Sequence, residues 1–436
     1  MQRIALINTE LQRVDGKLGL AKHRKMAANP YIFMRGAAQL FYADIANEVL
    51  RLPAALLQLP LTTVMGDCHL GNFGFLTEEG SHGDQVIFSP NDFDDACIGH
   101  AVWDLSRFST SLLLCADYCQ GISQGRYEGE PQNLGKPAIS QELAQQAIAL
   151  FLAQYLQVCR ASIDAPESRM KVLNLFSKPH ILAKKQRKAV ARAAGGEQFL
   201  SKSALAKVVD LTQHSPRFRY LPKKFRPLTA EQEKDLRCTF APYMDDSILD
   251  VTRRLDAGTG SANMQRYYLL VGPEGELAAS DLPLCHIVEI KKQRAAAPLH
   301  WFADLSPVNR LNAAHLTASC QRRMQRRPDL LLDEVLWQGE HYLVRSRHHA
   351  RVGVAPEDIG LGNKAINGGF LDYARACGQA LALAHCRGDR RSVRFESAMV
   401  TQLPLHMEAL QKSVSSYAKL QLNDCNLLKS LLETKV

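Results

Sequence analysis

The chain has 436 residues, of which 46% are hydrophobic and 22% charged, and it carries a formal net charge of +9 with a pI near 9.0. These proportions are close to globular averages and exclude wholesale disorder, and the length predicts two or three packed units. We expect neither a signal peptide nor a membrane helix, since no run reaches ~20 uncharged apolar residues, and eleven cysteines without metal-ligand spacing fit reduced thiols in a cytoplasm.

The first part of the chain reads as mostly helical, interrupted by two short strands. Apolar residues recur at helical spacing after Asn29-Pro30, which is a helix-entry signal. Two apolar, β-branched runs follow, and each leads directly into acidic residues. The predicted elements are a helix over 29–52, strands over 61–65 and 85–89, a helix over 103–119, an exposed loop over 121–137, and helices over 140–161 and 184–192.

The pattern changes from helix to strand after a proline-rich connector over 217–229, which we interpret as a domain boundary. Strand-like runs follow over 248–255, 264–271, 285–291 and 341–344, and they predict a small antiparallel sheet. The remaining sequence is mostly helical, with amphipathic patterns over 371–385 and 403–432.

The first strand leads into the motif Gly66-Asp67-Cys68-His69-Leu70-Gly71-Asn72. In phosphoryl transfer, an aspartate orients or deprotonates a hydroxyl group, and an asparagine at a short fixed spacing binds a metal. We therefore predict Asp67 as the catalytic residue and Asn72 as a metal ligand. The pattern G-D-x-H-x-x-N resembles the catalytic loop of aminoglycoside and choline kinase-like phosphotransferases. The alternative for this motif alone is a Gly-Asp turn that Asn72 caps.

A second acidic cluster, N-D-F-D-D over 91–95, ends the next strand about 20 residues later, where kinase-like enzymes place a magnesium-binding aspartate. Asp92 matches that position best. Asp94 is predicted as a second metal-binding carboxylate, and Asp95 is predicted to be solvated. Hard oxygen ligands without a nearby cluster of cysteine and histidine favour Mg²⁺ over zinc.

A phosphate-binding element is predicted far downstream. Glycine lets the main chain approach phosphates closely, and the turn Gly258-Thr259-Gly260-Ser261 lies between two predicted strands. This turn alone is a weak signal. About thirty residues later, V-E-I-K over 288–291 is similar to the V-A-I-K strand of protein kinases, whose lysine pairs with nucleotide phosphates. We therefore predict Gly258, Gly260, Ser261 and Lys291 as ATP-binding residues, with Lys292 solvated on the other face.

These motifs occur in an unusual order, because in kinases the glycine loop and the strand lysine precede the catalytic loop and the metal-binding aspartate. A circular permutation accounts for this order. We therefore predict an α+β fold of the kinase-like, two-lobe type, circularly permuted. The predicted units are a helical large lobe over 1–240 with a helical insertion over about 121–215, a small β lobe over 241–350, and C-terminal helices over 351–436 that complete the large lobe.

The chain resembles the bacterial family named domain of unknown function 2252, whose members look like permuted relatives of the protein-kinase superfamily. The motifs that carry the resemblance lie over 24–36, 66–74, 91–96, 103–107, 258–261, 288–291 and 382–385. They extend over nearly the whole chain. The resemblance implies an ATP-binding fold and a phosphotransferase-type activity, without a known substrate.

The chain departs from this family in the phosphate-binding half. The family has a glutamate after the strand lysine, where Lys292 stands here, and another glutamate in the following helix, where this chain has Ala313 and Ala314. In kinases that helix glutamate holds the strand lysine toward the phosphates. No glutamate occurs between Lys291 and Glu334, so Asp304 is the candidate substitute.

Three further residues have weaker signals. Arg35 is a candidate phosphate contact, with a local salt bridge as the equal alternative. Asp104 resembles the aspartate that braces the catalytic loop, and it also suits a helix N-terminus, so we assign it a structural role. His385 lies on an apolar helix face and is predicted to be a satisfied core histidine.

The sequence thus predicts an ATP- and Mg²⁺-dependent phosphotransferase that acts on an unknown acceptor. Nucleotidyl transfer by the same site is a close variant, and a non-catalytic nucleotide-binding pseudokinase is the alternative that the missing glutamate favours. The basic runs near 184–192, 217–226 and 322–327 fit solvated faces. No nucleic-acid motif accompanies them, so neither nucleic acid nor a membrane is the expected partner.

Overall fold

The computed structural model describes residues 2–78, 83, 85–212, 215–255, 264–278, 280–389 and 392–433. It confirms a mixed α+β protein with several antiparallel sheets. The helices are α1 (Gln2–Asp15), α2 (Ala21–Met26), α3 (Pro30–Gly36), α4 (Ala38–Ala46), α5 (Ala54–Leu57), α6 (Ala101–Ser123), α7 (Gln141–Asp164), α8 (Ala183–Val190), α9 (Phe199–Lys202), α10 (Ala230–Phe240), α11 (Leu299–Phe302), α12 (Ala313–Met324), α13 (Pro356–Gly360), α14 (Phe370–Gly388) and α15 (Arg394–Glu433). None of these helices combines the length and the apolar character needed to cross a bilayer.

The strands are β1 (Thr62–Val64), β2 (Phe73–Thr77), β3 (Val86–Pro90), β4 (Cys97–Gly99), β5 (Val209–Asp210), β6 (Arg217–Phe218), β7 (Phe225–Arg226), β8 (Ser247–Arg254), β9 (Arg266–Gly272), β10 (His286–Lys292), β11 (Asp333–Trp337), β12 (Glu340–Arg347) and β13 (Val352–Gly353). The largest sheet is antiparallel and has the order β11-β12-β10-β9-β8-β7.

The main hydrophobic core surrounds α6, which is buried on nearly all sides. Trp103 of α6 contacts Tyr42 of α4 at a ring-centroid distance of 5.3 Å, and Phe108 stacks on Phe151 of α7 at 4.3 Å. Helix α14 lies directly against α7. Gly378 permits this close approach, because a Cβ there would lie 2.5 Å from the carbonyl oxygen of Phe151.

The first and last helices pack against the same core. Arg3 of α1 donates hydrogen bonds to Asp424 of α15 at 2.9 Å and to Asp44 of α4 at 2.8 Å. Tyr417 of α15 also donates to Asp44, at 2.8 Å. Helices α1, α4 and α15 are therefore joined by buried carboxylates that share their donors.

The large sheet separates an apolar face from a charged face. Side chains alternate along β10, so Val288 and Ile290 pack with α10 in one apolar cluster, and Glu289 and Lys291 point to the opposite face. Helix α12, which connects β10 to β11, covers Leu343 on that opposite face. Because β10 pairs with β9 and β12, the charged residues of these three strands lie side by side.

Two small antiparallel pairs bring the acidic motifs together. Strand β1 pairs with β4, and β2 pairs with β3. The amide of Asn91 donates to the carbonyl of Asn72 at 3.0 Å, which fixes the end of one motif beside the start of the other. Gly66 has a φ of +74°, and a Cβ there would lie 1.8 Å from the carbonyl oxygen of Asp95. Only glycine fits where these two loops touch.

Several predicted boundaries are wrong, including the start of the last helix, which lies at Arg394 and not at 403. The helix predicted over 29–52 is split into α3 and α4 at Ala37, whose φ and ψ are −119° and 44°. A Cβ at Gly36 would lie 2.6 Å from the sulfur of Met26, so glycine lets α2 pack closely beside this break. The loop predicted over 121–137 begins later, because α6 continues to Ser123.

Candidate functional site

The loop that carries Asp67 is held by buried hydrogen bonds. The carboxylate of Asp104, at the start of α6, accepts the amides of Met65 at 2.6 Å and Gly66 at 3.1 Å. Tyr42 donates its hydroxyl to the carbonyl of Gly66 at 2.6 Å. The loop backbone is therefore fixed on both sides of Gly66 before any ligand binds.

His385 contacts Asp104, the residue that holds the Asp67 loop. We predicted that this histidine is buried in the core with its polar atoms satisfied. Its Nε2 lies 3.0 Å from Asp104, and its Nδ1 lies 2.8 Å from the hydroxyl of Tyr155. All three side chains are fully buried. The structural roles predicted for Asp104 and His385 are both confirmed.

The carboxylate of Asp67 is oriented by Arg107, a residue that we did not predict to be functional. The Nε of Arg107 donates to Oδ1 of Asp67 at 2.7 Å, and its Nη2 donates to the carbonyl of Met34 at 2.8 Å. Asn72 donates its side-chain amide to the main-chain carbonyl of Asp67 at 2.9 Å. Oδ1 is thus occupied, and Oδ2 is the oxygen that remains for a ligand.

His69 is a buried neutral ring beside Asp67. The amide of Gly71 donates to its Nδ1 at 3.1 Å, which leaves the proton on Nε2, 3.8 Å from Oδ2 of Asp67. Burial and the nearby positive charges of Arg35 and Arg107 lower the pKa of His69 well below its usual value of 6.5. His69 can therefore act as a neutral hydrogen-bond donor near the free oxygen of Asp67.

The second acidic motif pairs with β10 and with the segment that follows it. Lys291 forms an ion pair with Asp94, which also accepts a hydrogen bond from Gln293 at 3.3 Å. Arg294 binds both carboxylate oxygens of Asp95, at 2.7 and 2.8 Å, and the amide of Ala297 adds a third bond. The prediction that Asp95 is solvated is therefore wrong.

The two remaining carboxylates of this motif differ in their readiness to lose a proton. Burial and the neighbouring Asp94 raise the pKa of Asp92. Burial would also raise the pKa of Asp94, but Lys291 and Arg345 hold that pKa well below its usual range. Asp94 is thus a permanent anion, and a cation bound beside Asp92 would also favour its ionised form.

Five of the predicted site residues line one cleft, which we call the loop-side cleft: Asp67, Asn72, Asp92, Asp94 and Lys291. Arg35 and Arg294 also line it. The predicted turn residues Gly258, Gly260 and Ser261 lie outside the described residues, so their position relative to this cleft is not described.

The loop-side cleft contains side-chain oxygens, which are the donors that Mg²⁺ prefers, but too few of them to hold the ion without further ligands. Asn72 keeps its side-chain oxygen after donating to Asp67, and Asp92 has no ion pair among the described residues. Within the same part of the chain, no group of three or more His, Cys, Asp or Glu side chains is arranged to hold a metal. Magnesium commonly binds through one or two carboxylates together with substrate phosphates.

No carboxylate from the helix after β10 reaches Lys291. Helix α12 contains no acidic residue, and Asp304 is largely exposed and pairs with Arg310 at 2.6 Å. The candidate substitution by Asp304 is therefore wrong, and Asp94 is the partner of Lys291.

The charged face of the large sheet borders a second cleft, which we call the sheet-side cleft. The buried carboxylate of Glu289 lies 3.0 Å from Arg345, 3.1 Å from Arg266 and 3.6 Å from Arg347. Burial would raise the pKa of Glu289, but these arginines hold it well below its usual range. The sheet-side cleft shares Asp92, Asp94 and Lys291 with the loop-side cleft.

The fold and the site together define a mixed α+β protein in which two acidic loops meet a strand lysine between two clefts. The chain belongs to the family described as "Uncharacterized protein conserved in bacteria (DUF2252)", whose model matches residues 14–429. The family resemblance is thereby confirmed. No curated protein and no solved structure matches the chain.

Proposed function

We propose that the protein is an ATP- and Mg²⁺-dependent phosphotransferase with a circularly permuted, kinase-like fold. The ion pair between Lys291 and Asp94, in the cleft that also contains Asp67, Asn72 and Asp92, carries this proposal. Lys291 and Asp94 are 197 positions apart in the sequence. In protein kinases the strand lysine and the metal-binding aspartate act on the same bound nucleotide.

The order of elements around β10 supports a kinase-like small lobe. The hairpin β8-β9 precedes β10, and α12 then connects β10 to β11. Protein kinases likewise place a glycine-rich loop before the lysine strand and a helix after it. In a circular permutation, α15 would be followed directly by α1 in the unpermuted chain, so the two helices must lie close together. The hydrogen bond from Arg3 of α1 to Asp424 of α15 supports this requirement.

In the proposed reaction, Oδ2 of Asp67 accepts the proton of the acceptor hydroxyl. The hydroxyl oxygen forms a bond to the γ-phosphorus of ATP, the bond to the β–γ bridging oxygen breaks, and ADP leaves with that electron pair. Arg107 keeps the Asp67 carboxylate oriented, and Lys291 binds the donor phosphates. Magnesium held by Asn72, Asp92 and Asp94 would neutralise charge on the transferred phosphoryl group.

Lys291 must exchange partners in this scheme, because Asp94 and the donor phosphates compete for the same ammonium group. A cation beside Asp94 would weaken that pair and free the ammonium group for phosphates. The absence of an acidic residue from α12 favours the second candidate, a non-catalytic nucleotide-binding protein. Nucleotidyl transfer would use the same residues.

We place the reaction in the cytoplasm. All eleven cysteines are free thiols, which is the state expected in a reducing compartment.

The test is incubation of the purified chain with Mg-ATP that carries a label on either the γ- or the α-phosphate. The test variants are Asp67→Asn and Asp92→Ala, and Asp304→Asn is the matched control because its exposed carboxylate lines neither cleft. We expect ATP to lose its γ-label when it is incubated with the wild-type chain or with the control. With either test variant we expect ATP to keep that label. Transfer of α-label to an acceptor would indicate nucleotidyl transfer instead.

Two other outcomes contradict the proposal. Nucleotide binding without any label transfer, unchanged in Asp67→Asn, would indicate the non-catalytic alternative. A chain that neither binds Mg-ATP in a thermal-shift assay nor moves label would refute every nucleotide-based function.

A further inference from the structure

The sheet-side cleft is large enough for an extended ligand and opens onto Asp92, Asp94 and Lys291. We propose that it binds an oligophosphate chain by charge, without selecting a nucleobase. This inference rests on the proposed function, since it names the class of phosphoryl donor that the site accepts. Nucleoside triphosphates and inorganic oligophosphates both belong to this class.

The charge of the cleft is strongly unbalanced. Eight basic side chains line it, against three acidic ones, a surplus of five positive charges among the described residues. The acidic residues are Asp92, Asp94 and Glu289. The basic residues are Lys207, Lys224, Arg254, Arg266, Lys291, Arg345, Arg347 and Arg351. A polyanion would balance this charge better than a neutral or singly charged ligand.

Arg345 and Arg347 bring to Glu289 more N–H donors than one carboxylate can accept. A guanidinium has five N–H donors, and three guanidiniums converge on the two oxygens of one carboxylate. Arginine binds phosphate oxygens in pairs, so the unused donors suit a phosphate chain. The single negative charge of Glu289 therefore offsets only part of the positive charge around it.

Two further basic residues of the sheet-side cleft are crowded by like charges. The positive charge of Arg347 acts on Arg351, and those of Arg192 and Lys188 act on Lys207. A bound anion would relieve both effects, because it favours the charged form of each side chain.

Among the described residues, the sheet-side cleft has no apolar slot of the kind that a nucleobase needs. Ligand pockets for flat rings are lined mainly by apolar and aromatic side chains. Here the aromatic face of Tyr268 is covered by Arg347, whose guanidinium lies 4.9 Å from the ring centroid and also donates to its hydroxyl. The other apolar lining residues are Ala204 and Val208. These two side chains are too small and too few to enclose a base.

The experiment measures equilibrium binding of tripolyphosphate, ATP, GTP and adenosine to the full chain in the presence of Mg²⁺. We expect ATP and GTP to bind within about twofold of each other, tripolyphosphate to compete with both, and adenosine not to bind. These comparisons use the wild-type chain and do not depend on how any variant folds. Adenosine binding, or ATP binding about tenfold tighter than GTP, would overturn the inference.

A variant with fewer positive charges tests whether tripolyphosphate binds in the sheet-side cleft. The triple substitution Lys207→Gln, Lys224→Gln and Arg351→Gln changes only exposed side chains, and we expect it to weaken tripolyphosphate binding by about tenfold or more. The control is Lys223→Gln, next to Lys224 but outside the cleft. Unchanged affinity in the triple variant would overturn the inference.

The two proposals fail in different ways. Tripolyphosphate binding that the triple variant loses, without label transfer by wild type, would uphold the cleft and refute the phosphotransferase. Label transfer with clear selection of ATP over GTP would uphold the phosphotransferase and refute the oligophosphate inference. A wild-type chain that does not bind tripolyphosphate overturns the inference whatever happens to the label.

Discussion

Replacing Glu289 by glutamine would test how the sheet-side cleft balances its charge. Three guanidiniums lie 3.0 to 3.6 Å from this buried carboxylate. Removing one partner of a buried ion pair costs about 3–5 kcal/mol, because the remaining charge stays buried without compensation. Glutamine keeps the shape and one oxygen acceptor, so we expect Glu289→Gln to lower the free energy of unfolding by about 3 kcal/mol.

The same substitution should tighten the binding of tripolyphosphate, because Glu289 and the ligand compete for the same arginines. A unit charge about 10 Å away in water contributes roughly 0.4 kcal/mol for each ligand charge. A ligand with about four negative charges should therefore gain roughly 1.6 kcal/mol, or about tenfold in affinity. Stability and affinity are predicted to change in opposite directions.

Urea unfolding measures the first effect, and titration calorimetry below the onset of unfolding measures the second. Glu340→Gln is the matched control, because this exposed glutamate pairs with Lys292 outside the cleft, and such pairs contribute less than about 1 kcal/mol. Weaker tripolyphosphate binding by a folded Glu289→Gln variant would refute the reasoning. Glu289 would then be needed to position the arginines for the anion.

Lys291→Gln should remove the thermal shift caused by Mg-ATP, whereas Lys292→Gln should keep it, because Lys292 pairs with Glu340 on the other face of the sheet. Equal thermal shifts in the two variants would contradict the role of Lys291 in nucleotide binding. Gly66→Ala should lower the free energy of unfolding by about 2–4 kcal/mol, because its φ is +74° and its Cβ would meet a carbonyl oxygen; a wild-type melting curve would contradict this. Burial and two arginines lower the pKa of His69 below 6.5, so the unfolded chain takes up a proton that the folded chain excludes. The free energy of unfolding should fall by up to about 1.4 kcal/mol per pH unit below pH 6.5, and His69→Asn should reduce this slope; parallel stability curves for wild type and variant would refute it.

Sequence patterns predicted the parts of the fold that local chemistry decides. Strand ends marked by Gly66-Asp67 and by Asn91-Asp92 were placed correctly, as was the alternation that puts Lys291 opposite Lys292. The break at Ala37 was missed, because the apolar spacing continues through it. It depends on the packing of Met26 against Gly36, which is a tertiary contact.

The partners of the predicted site residues could not be read from local patterns. Asp95 was assigned to solvent because its partner, Arg294, is 199 positions away. Two signals were nevertheless present. Arg107 follows Asp104 by three residues and so lies on the same side of α6, and Arg345 and Arg347 alternate on a strand that pairs with the strand of Glu289.

The contact of α15 with α1 and α4 also determines when the protein can finish folding. Tyr417 and Asp44 are 373 positions apart, so the ribosome makes the donor long after the acceptor. Until α15 emerges, Phe41 and Asp44 of α4 lack the contacts that Tyr417 makes with them, and α4 also carries the Tyr42 that holds the Asp67 loop at Gly66. Folding around the Asp67 loop therefore finishes only near the end of translation, and we expect nascent chains that stop before 394 to remain sensitive to protease around α4.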